Sequence, residues 1–212
     1  IPLIARLVLK VFNNHTLLHF SLNIARLFRD TGIPNALAKL LPTRLAFPLA
    51  MLASTRPTRS PSYRSPSSAP QLPQSNPSSA ALLTGCVMQG LFSHVHDATE
   101  KALQVNGLTI TTVSSQVCCG ALHAHAGDLR SAVSHAKQNI EAFEQSQVDF
   151  IVVNSAGCAA MMKEYAHLLS DDPLWKQRAE RVSAKVRDVS EILASHGPIK
   201  GTRDVAVRVT HD

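Results

Sequence analysis

The sequence predicts an α/β fold: a parallel sheet with flanking helices, preceded by a small all-helical region and a Pro/Ser-rich linker. Three observations predict it. Short apolar runs alternate with helical stretches in the second half of the chain, apolar residues recur at three- and four-residue steps near its start, and a segment dense in proline and serine separates the two.

In residues 1–53 the steps run through Leu3, Leu7, Val8 and Val11, then Leu17, Leu18, Leu22 and Ile24, which is helical periodicity. Breaks are expected at Asn13-Asn14, Gly32-Ile33-Pro34 and Leu41-Pro42, where Asn, Gly and Pro signal helix ends. No chemistry-bearing cluster falls in this region, so it is expected to pack or dock. Residues 54–80 hold six of the twelve prolines and nine serines, too little apolar surface to offset the entropy of ordering, and are expected to be a flexible linker. From residue 81 onward, strands are expected at 80–83, 108–113, 150–153 and 205–209, with helices at about 91–105 and 127–146 and two or three more within 158–194. The last strand is followed only by Thr210-His211-Asp212, which reads as a fold cut in mid-unit.

Composition excludes several classes. At 212 residues, 45% apolar and 17% charged, the chain is too hydrophobic to be disordered throughout. The longest apolar run, Leu45 to Ala53, is interrupted by Pro48 and is far short of the ~20 residues a spanning helix needs. The start, Ile1-Pro2, lacks the charged segment and cleavage site of a secretory signal, and the absence of an initiating Met reads as a piece of something longer. A net charge of +6 could attract a polyanion, but Arg44, Arg56, Arg59 and Arg64 gather about the linker with only Tyr63 as an aromatic among them. A solvated basic linker explains that pattern, and nucleic-acid binding is not expected.

The four cysteines carry the chemistry. Cys86 follows the first expected strand, Cys118 and Cys119 the second, and Cys158 the third. In an open parallel sheet the carboxyl ends of the strands converge on one crevice, so four thiols are expected in one place. Disulfides are one explanation, opposed by the absence of secretory features and by the strain of bridging adjacent residues. Inert buried thiols are another, opposed by Gly85, Gly120 and Gly157 beside them, which let backbone approach a bulky ligand and are expected to take turn conformations. Structural zinc is a third, but the gaps of 31 and 38 residues do not resemble fingers or ribbons. An iron–sulfur cluster accommodates thiolates gathered from several loops.

Three stretches carry a family resemblance: Ala81-Leu-Leu-Thr-Gly-Cys-Val87, Cys118-Cys-Gly-Ala-Leu-His-Ala-His-Ala-Gly127, and Val152-Val-Asn-Ser-Ala-Gly-Cys158 with Met162-Lys-Glu-Tyr165. They resemble the cysteine-rich CCG domain of heterodisulfide reductase subunits and related oxidoreductase subunits, and within that group the iron–sulfur subunits of glycolate oxidases. The resemblance covers residues 81–212, more loosely the helical region. It implies that 81–212 is a CCG domain truncated at its C-terminus, that a ferredoxin-like segment and a second CCG half lie outside this sequence, and that Cys86, Cys118, Cys119 and Cys158 bind a cluster, most simply [4Fe-4S]. It further implies electron transfer from a partner subunit carrying FAD, which oxidises glycolate to glyoxylate, toward a quinone or other acceptor. The expected location is the cytoplasm, peripherally on the inner face of the membrane. Lactate-utilisation and heterodisulfide-reductase subunits remain sister readings, and a structural zinc or metal-free interaction module is the reading from another class. One departure matters: where many members have C-x-x-C, this chain has Cys158-Ala-Ala-Met161, and a thioether is a poor iron ligand that more often fills a core. The histidine pairs His94/His96 and His123/His125 are expected to support the site by hydrogen bonds rather than to ligate.

Overall fold

A computed structural model describes residues 3–57 and 78–196. The helical region consists of α1 (Leu3–Asn13), α2 (His15–Asp30), α3 (Ile33–Leu40) and α4 (Thr43–Ser54). Its breaks fall where Asn, Gly and Pro place them. Asn14 accepts the Leu17 N–H at 3.0 Å and so caps α2, Gly32 turns the chain at φ +78° before α3, and Pro42 precedes α4. Among the described residues no helix is long and apolar enough to cross a membrane.

The second part runs β1 (Ser79–Leu83), α5 (Val87–Leu91), α6 (Ser93–Val105), β2 (Thr109–Ile110), α7 (Ala121–His125), α8 (Leu129–Ser146) and β3 (Phe150–Val153). It continues with α9 (Ala156–Lys163), α10 (Tyr165–Leu168), α11 (Pro173–Ser183), β4 (Val186–Asp188) and α12 (Val189–His196). All strand pairs are parallel, in the order β2-β1-β3-β4. Strand residues alternate between faces. Ala81, Leu83, Ile151 and Val153 face the core built by α8 to α11, with Ile140, Phe143, Met162 and Tyr165, whereas Ala80, Leu82 and Val152 face Leu103, Leu108 and Ile192. With both faces covered, β1 and β3 are apolar throughout, and this is why they were legible as continuous runs.

Four expectations need correction. Strand 108–113 is only Thr109–Ile110, because a side chain takes over its pairing: Gln116 donates to Leu82 O at 3.0 Å and accepts from Thr84 N at 2.8 Å, which frees the backbone between to form a loop. The stretch 158–194 is not wholly helical, since Val186–Asp188 pairs with β3 as the fourth strand, a segment too short to show a strand period. The helix expected from residue 91 begins earlier, as α5, and is interrupted at Phe92. Ser79, expected in the linker, belongs to β1, where the Asp149 carboxylate accepts from the Ser79 N–H and hydroxyl at 2.8 Å each, and Ala80, expected both at the linker's end and at the strand's start, belongs to the strand. Residues 58–77 of the linker and the strand expected at 205–209 lie outside the described residues.

The helical region is joined to the sheet part chiefly through α2 and α5. Arg29, buried, donates to Thr55 O at 3.1 Å and to Leu91 O at 3.4 Å, and Gly90 lies flat against Leu22. A Cβ at Gly90 would stand 3.1 Å from Leu22 Cβ, leaving no room for a side chain. Gly90→Val is therefore expected to cost about 1–3 kcal/mol by overpacking. A lowered urea midpoint at unchanged slope checks this, and an unchanged midpoint would show that the two parts are not packed as described.

Candidate metal centre

In the order β2-β1-β3-β4 the chain leaves β1 in opposite directions, so the topological switch lies between β1 and β3, where such sheets bind ligands at their carboxyl ends. Cys86 lies three residues past β1 and Cys158 in the first turn of α9, just past β3. The loop freed by Gln116 returns Cys118 and Cys119 to the same place. All four thiols line one cavity of about 330 Å³ with largely apolar walls.

Local chemistry explains how each thiol gets there. Gly85 takes φ +64°, a conformation that L side chains avoid, and turns the chain out of β1 into Cys86. Gly120, at φ +87°, also lies against α8, where a Cβ would be 3.3 Å from both Cα and O of Ala132. Gly157 differs from the expectation: it has an ordinary helical conformation inside α9 and open space at its Cβ position, so it makes no turn and only leaves the cavity wall bare.

Two side chains hold the Cys-Cys loop: Asn139, which the sequence reading does not single out, and Tyr165, which it names only as the end of the Met162–Tyr165 stretch. Asn139, fully buried on α8, accepts from Val117 N at 2.8 Å and donates to Cys118 O at 3.0 Å and to Tyr165 OH at 3.1 Å. Tyr165, also fully buried, donates to Cys119 O at 2.9 Å. Burial pushes its phenol well above the usual value, so it stays a donor. A polar residue on the apolar stripe Ala132, Ala136, Asn139, Ile140 and Phe143 was the available signal for Asn139. The other two loops are tied together by His96. Its Nε2–H donates to Thr84 O at 2.9 Å and its Nδ1 accepts from Asn154 Nδ2 at 3.1 Å, while Thr99 donates to Asn154 Oδ1 at 3.1 Å. Burial lowers the pKa of His96, which suits this neutral, two-sided role.

The histidine pairs do not act as pairs. His96 and His123 are buried, His125 lines the cavity, and His94 lies beside Phe92. Met161 packs against the apolar core.

The four cysteines are free, and the Sγ atoms of Cys86 and Cys118 are 3.5 Å apart, far from the 2.05 Å of a disulfide. The thiols contact one another in series, Cys86 with Cys118, Cys118 with Cys119, and Cys119 with Cys158. Cys118 is held far below the ordinary thiol range because Cys119, Cys86 and His135 all hydrogen-bond to it. Cys158 falls to about 7 through its hydrogen bond from Cys119 and, against burial, one from Ser155. Cys86 and Cys119 are pushed up, first by serving as donors and then by burial. Among the described residues no three or more His, Cys, Asp or Glu side chains are grouped closely enough to hold a single metal ion. Soft donors strung along one apolar wall suit a group of several irons, each taking its own thiolate.

Residues 80–163 match the family described as a cysteine-rich domain, CCG. The matched segment contains all four cysteines and the strands that deliver them. Around this domain the chain is 33% identical over 192 residues to the probable glycolate oxidase iron-sulfur subunit of Bacillus subtilis, a match spanning 87% of this chain and 42% of that protein. Lactate utilization protein A of Exiguobacterium sp. is 36% identical over 113 residues, 53% of this chain and 46% of that one. The protein of the same name from Geobacillus thermodenitrificans is 32% identical over 115 residues, 54% and 47%. The chain thus spans less than half the length of these relatives. No solved structure matches it.

Proposed function

We propose that this chain belongs to an iron–sulfur electron-transfer subunit of a glycolate oxidase-like complex, with Cys86, Cys118, Cys119 and Cys158 holding a [4Fe-4S] cluster. A partner subunit carrying FAD would oxidise glycolate to glyoxylate, and electrons would pass onward to a quinone or another acceptor. The expected setting is the cytoplasm, peripherally at the inner face of the membrane. One observation carries the reading: four thiols from three βα loops line one apolar cavity at the sheet's switch point.

When bound, the cluster supplies one-electron storage and release. The chain's own contribution is positional. Asn139 and Tyr165 clamp the backbone of the Cys-Cys loop, His96 and Asn154 lock the β1 and β3 loops together, and largely apolar walls surround the sulfurs. Among the described residues the cavity is lined by no carboxylate and no Lys or Arg, and its one imidazole is that of His125. That imidazole has no carboxylate beside it in the lining to orient it, so taking the proton from a hydroxy acid is assigned to the partner.

The match to the glycolate oxidase iron-sulfur subunit runs through both the helical region and the cysteine-rich domain, over 192 residues against 113 for a lactate utilization protein A, which favours the first reading. The test is metal analysis of the full-length protein purified without oxygen, compared with its Cys86→Ser, Cys158→Ser double variant. The variant is expected to lose about four irons and as many acid-labile sulfides per chain. Equal iron in both proteins, with zinc in the wild type alone, would establish a structural zinc module instead.

A further inference from the structure

The outer side of the helical region is apolar where a solvated surface would be polar. Twelve of the sixteen large apolar side chains exposed among the described residues lie on α1 to α4 and their turns, which make up less than a third of those residues. α2 turns one side to the sheet part, with Leu18 and Arg29 buried and Leu22 against Gly90. On its opposite side Leu17, Phe20, Ile24 and Leu27 are exposed, and their steps of three, four and three residues make one stripe about 15 Å long. α4 carries the longest apolar run of the chain, Leu45 to Ala53, yet none of its residues is buried, and Leu45, Phe47 and Met51 are exposed. Exposed apolar surface on this scale marks a place of contact. Charge says with what. Residues 3–57 hold seven Lys and Arg and a single acid, Asp30, so the net charge of +6 resides there and the rest of the chain is balanced. Asp30 pairs with the buried Arg29 at 2.9 Å, whereas Arg6, Lys10, Lys39 and Arg44 are exposed and have no carboxylate partner among the described residues. Lys39 and Arg44 flank the turn into α4, and Arg56 follows its end. The core of a protein–protein interface is depleted of lysine and other charges, but apolar stripes set among unpaired cations on short helices suit the headgroup layer of an anionic bilayer.

We propose that the outer faces of α2 and α4 dock on a bilayer bearing acidic phospholipids, with their apolar side chains at the boundary of headgroups and acyl chains and Lys39, Arg44 and Arg56 against lipid phosphates. This rests on the peripheral setting proposed above, to which it gives a surface, and is independent of the metal. α4, at 12 residues about 18 Å long, is too short to cross a hydrocarbon core of about 30 Å and lies along the interface. Docking leaves the inner side of α2 on the sheet part. Phe12 and Leu18 line a cavity of about 420 Å³ together with Cys86 and Cys118, so the thiols stand beside the helices that meet the membrane, where an acceptor held in the bilayer would take electrons.

The test is cosedimentation of the full-length protein, purified without oxygen, with vesicles of phosphatidylcholine alone or mixed with phosphatidylglycerol. Binding is expected on the mixed vesicles at low salt, and it should weaken as salt is added and be slight on phosphatidylcholine alone. Lys39→Gln with Arg44→Gln should lower partition onto the mixed vesicles about 25-fold, about fivefold for each cation removed. Phe47→Glu with Met51→Glu should lower it at least as far. None of these four side chains is buried or lines the thiol cavity, so iron content and the urea midpoint should stay at the wild-type values. Should the glutamate pair fail to fold, the glutamine pair decides by itself. Failure of the wild-type protein to bind the mixed vesicles overturns the proposal, and if it sediments instead as a dimer that Phe47→Glu dissociates, a second copy covers the face. Equal binding to both kinds of vesicle, or binding unchanged in the glutamine pair, also overturns it. Iron without vesicle binding overturns the docking surface alone, whereas vesicle binding by a protein without iron overturns the cluster assignment alone.

Discussion

Under the proposed function, a complex carrying Cys119→Ser is expected to reduce the flavin of the partner subunit on addition of glycolate and to stop there, with electron passage to the acceptor lowered by about 100-fold or more. Cys119 is the central member of the thiol series, in contact with both Cys118 and Cys158, so its loss divides the donor set. Serine supplies a hydroxyl, a much weaker partner for iron than a thiolate. The substitution is nearly isosteric, and the contact that places the loop runs from Tyr165 to the backbone carbonyl of residue 119, which serine retains. Stability should therefore change little, and the defect should be one of metal content. Separate assays of flavin bleaching and acceptor reduction distinguish the outcomes. Wild-type acceptor reduction would show that the thiols are off the electron path, and joint loss of flavin reduction and complex assembly would show that the domain is a scaffold.

Asn139→Leu is expected to be the most destabilising single change in the cysteine-rich domain outside its apolar core. It leaves the Val117 N–H and the Cys118 carbonyl buried without their partner, at about 1–3 kcal/mol each, so that about 2–5 kcal/mol of stability should be lost. Tyr165→Phe removes only the bond to Cys119 O and its contact with Asn139, and should cost about 1–2 kcal/mol. Urea unfolding of the metal-free protein measures both. A loss for Asn139→Leu no greater than that for Tyr165→Phe would mean that the loop backbone finds other partners, and the clamp described here would be wrong.

Much of the architecture could be read before folding because the relevant signals are local. β1 and β3 are covered on both faces and so appear as unbroken apolar runs, and Asn14, Gly32 and Pro42 end helices by their own backbone chemistry. β2 and β4 were misjudged because a two-residue and a three-residue strand have no period to detect, and because part of the pairing expected of β2 is made by the Gln116 side chain. Gly157 makes no turn, since lying next to a cysteine in sequence says nothing about a glycine's φ angle.

The sequence by itself determined that four thiols would meet, and roughly where. Spacing places each cysteine past a strand, and parallel strands bring their carboxyl ends to one edge whatever the details of packing. Only the tertiary structure decided what holds those thiols. Asn139, Tyr165, Gln116 and Asn154 act across gaps of 21 to 58 residues. A hydrogen bond between distant residues leaves no periodic trace in the chain, because its partners are set by how helices and strands pack and not by the residues beside them in sequence.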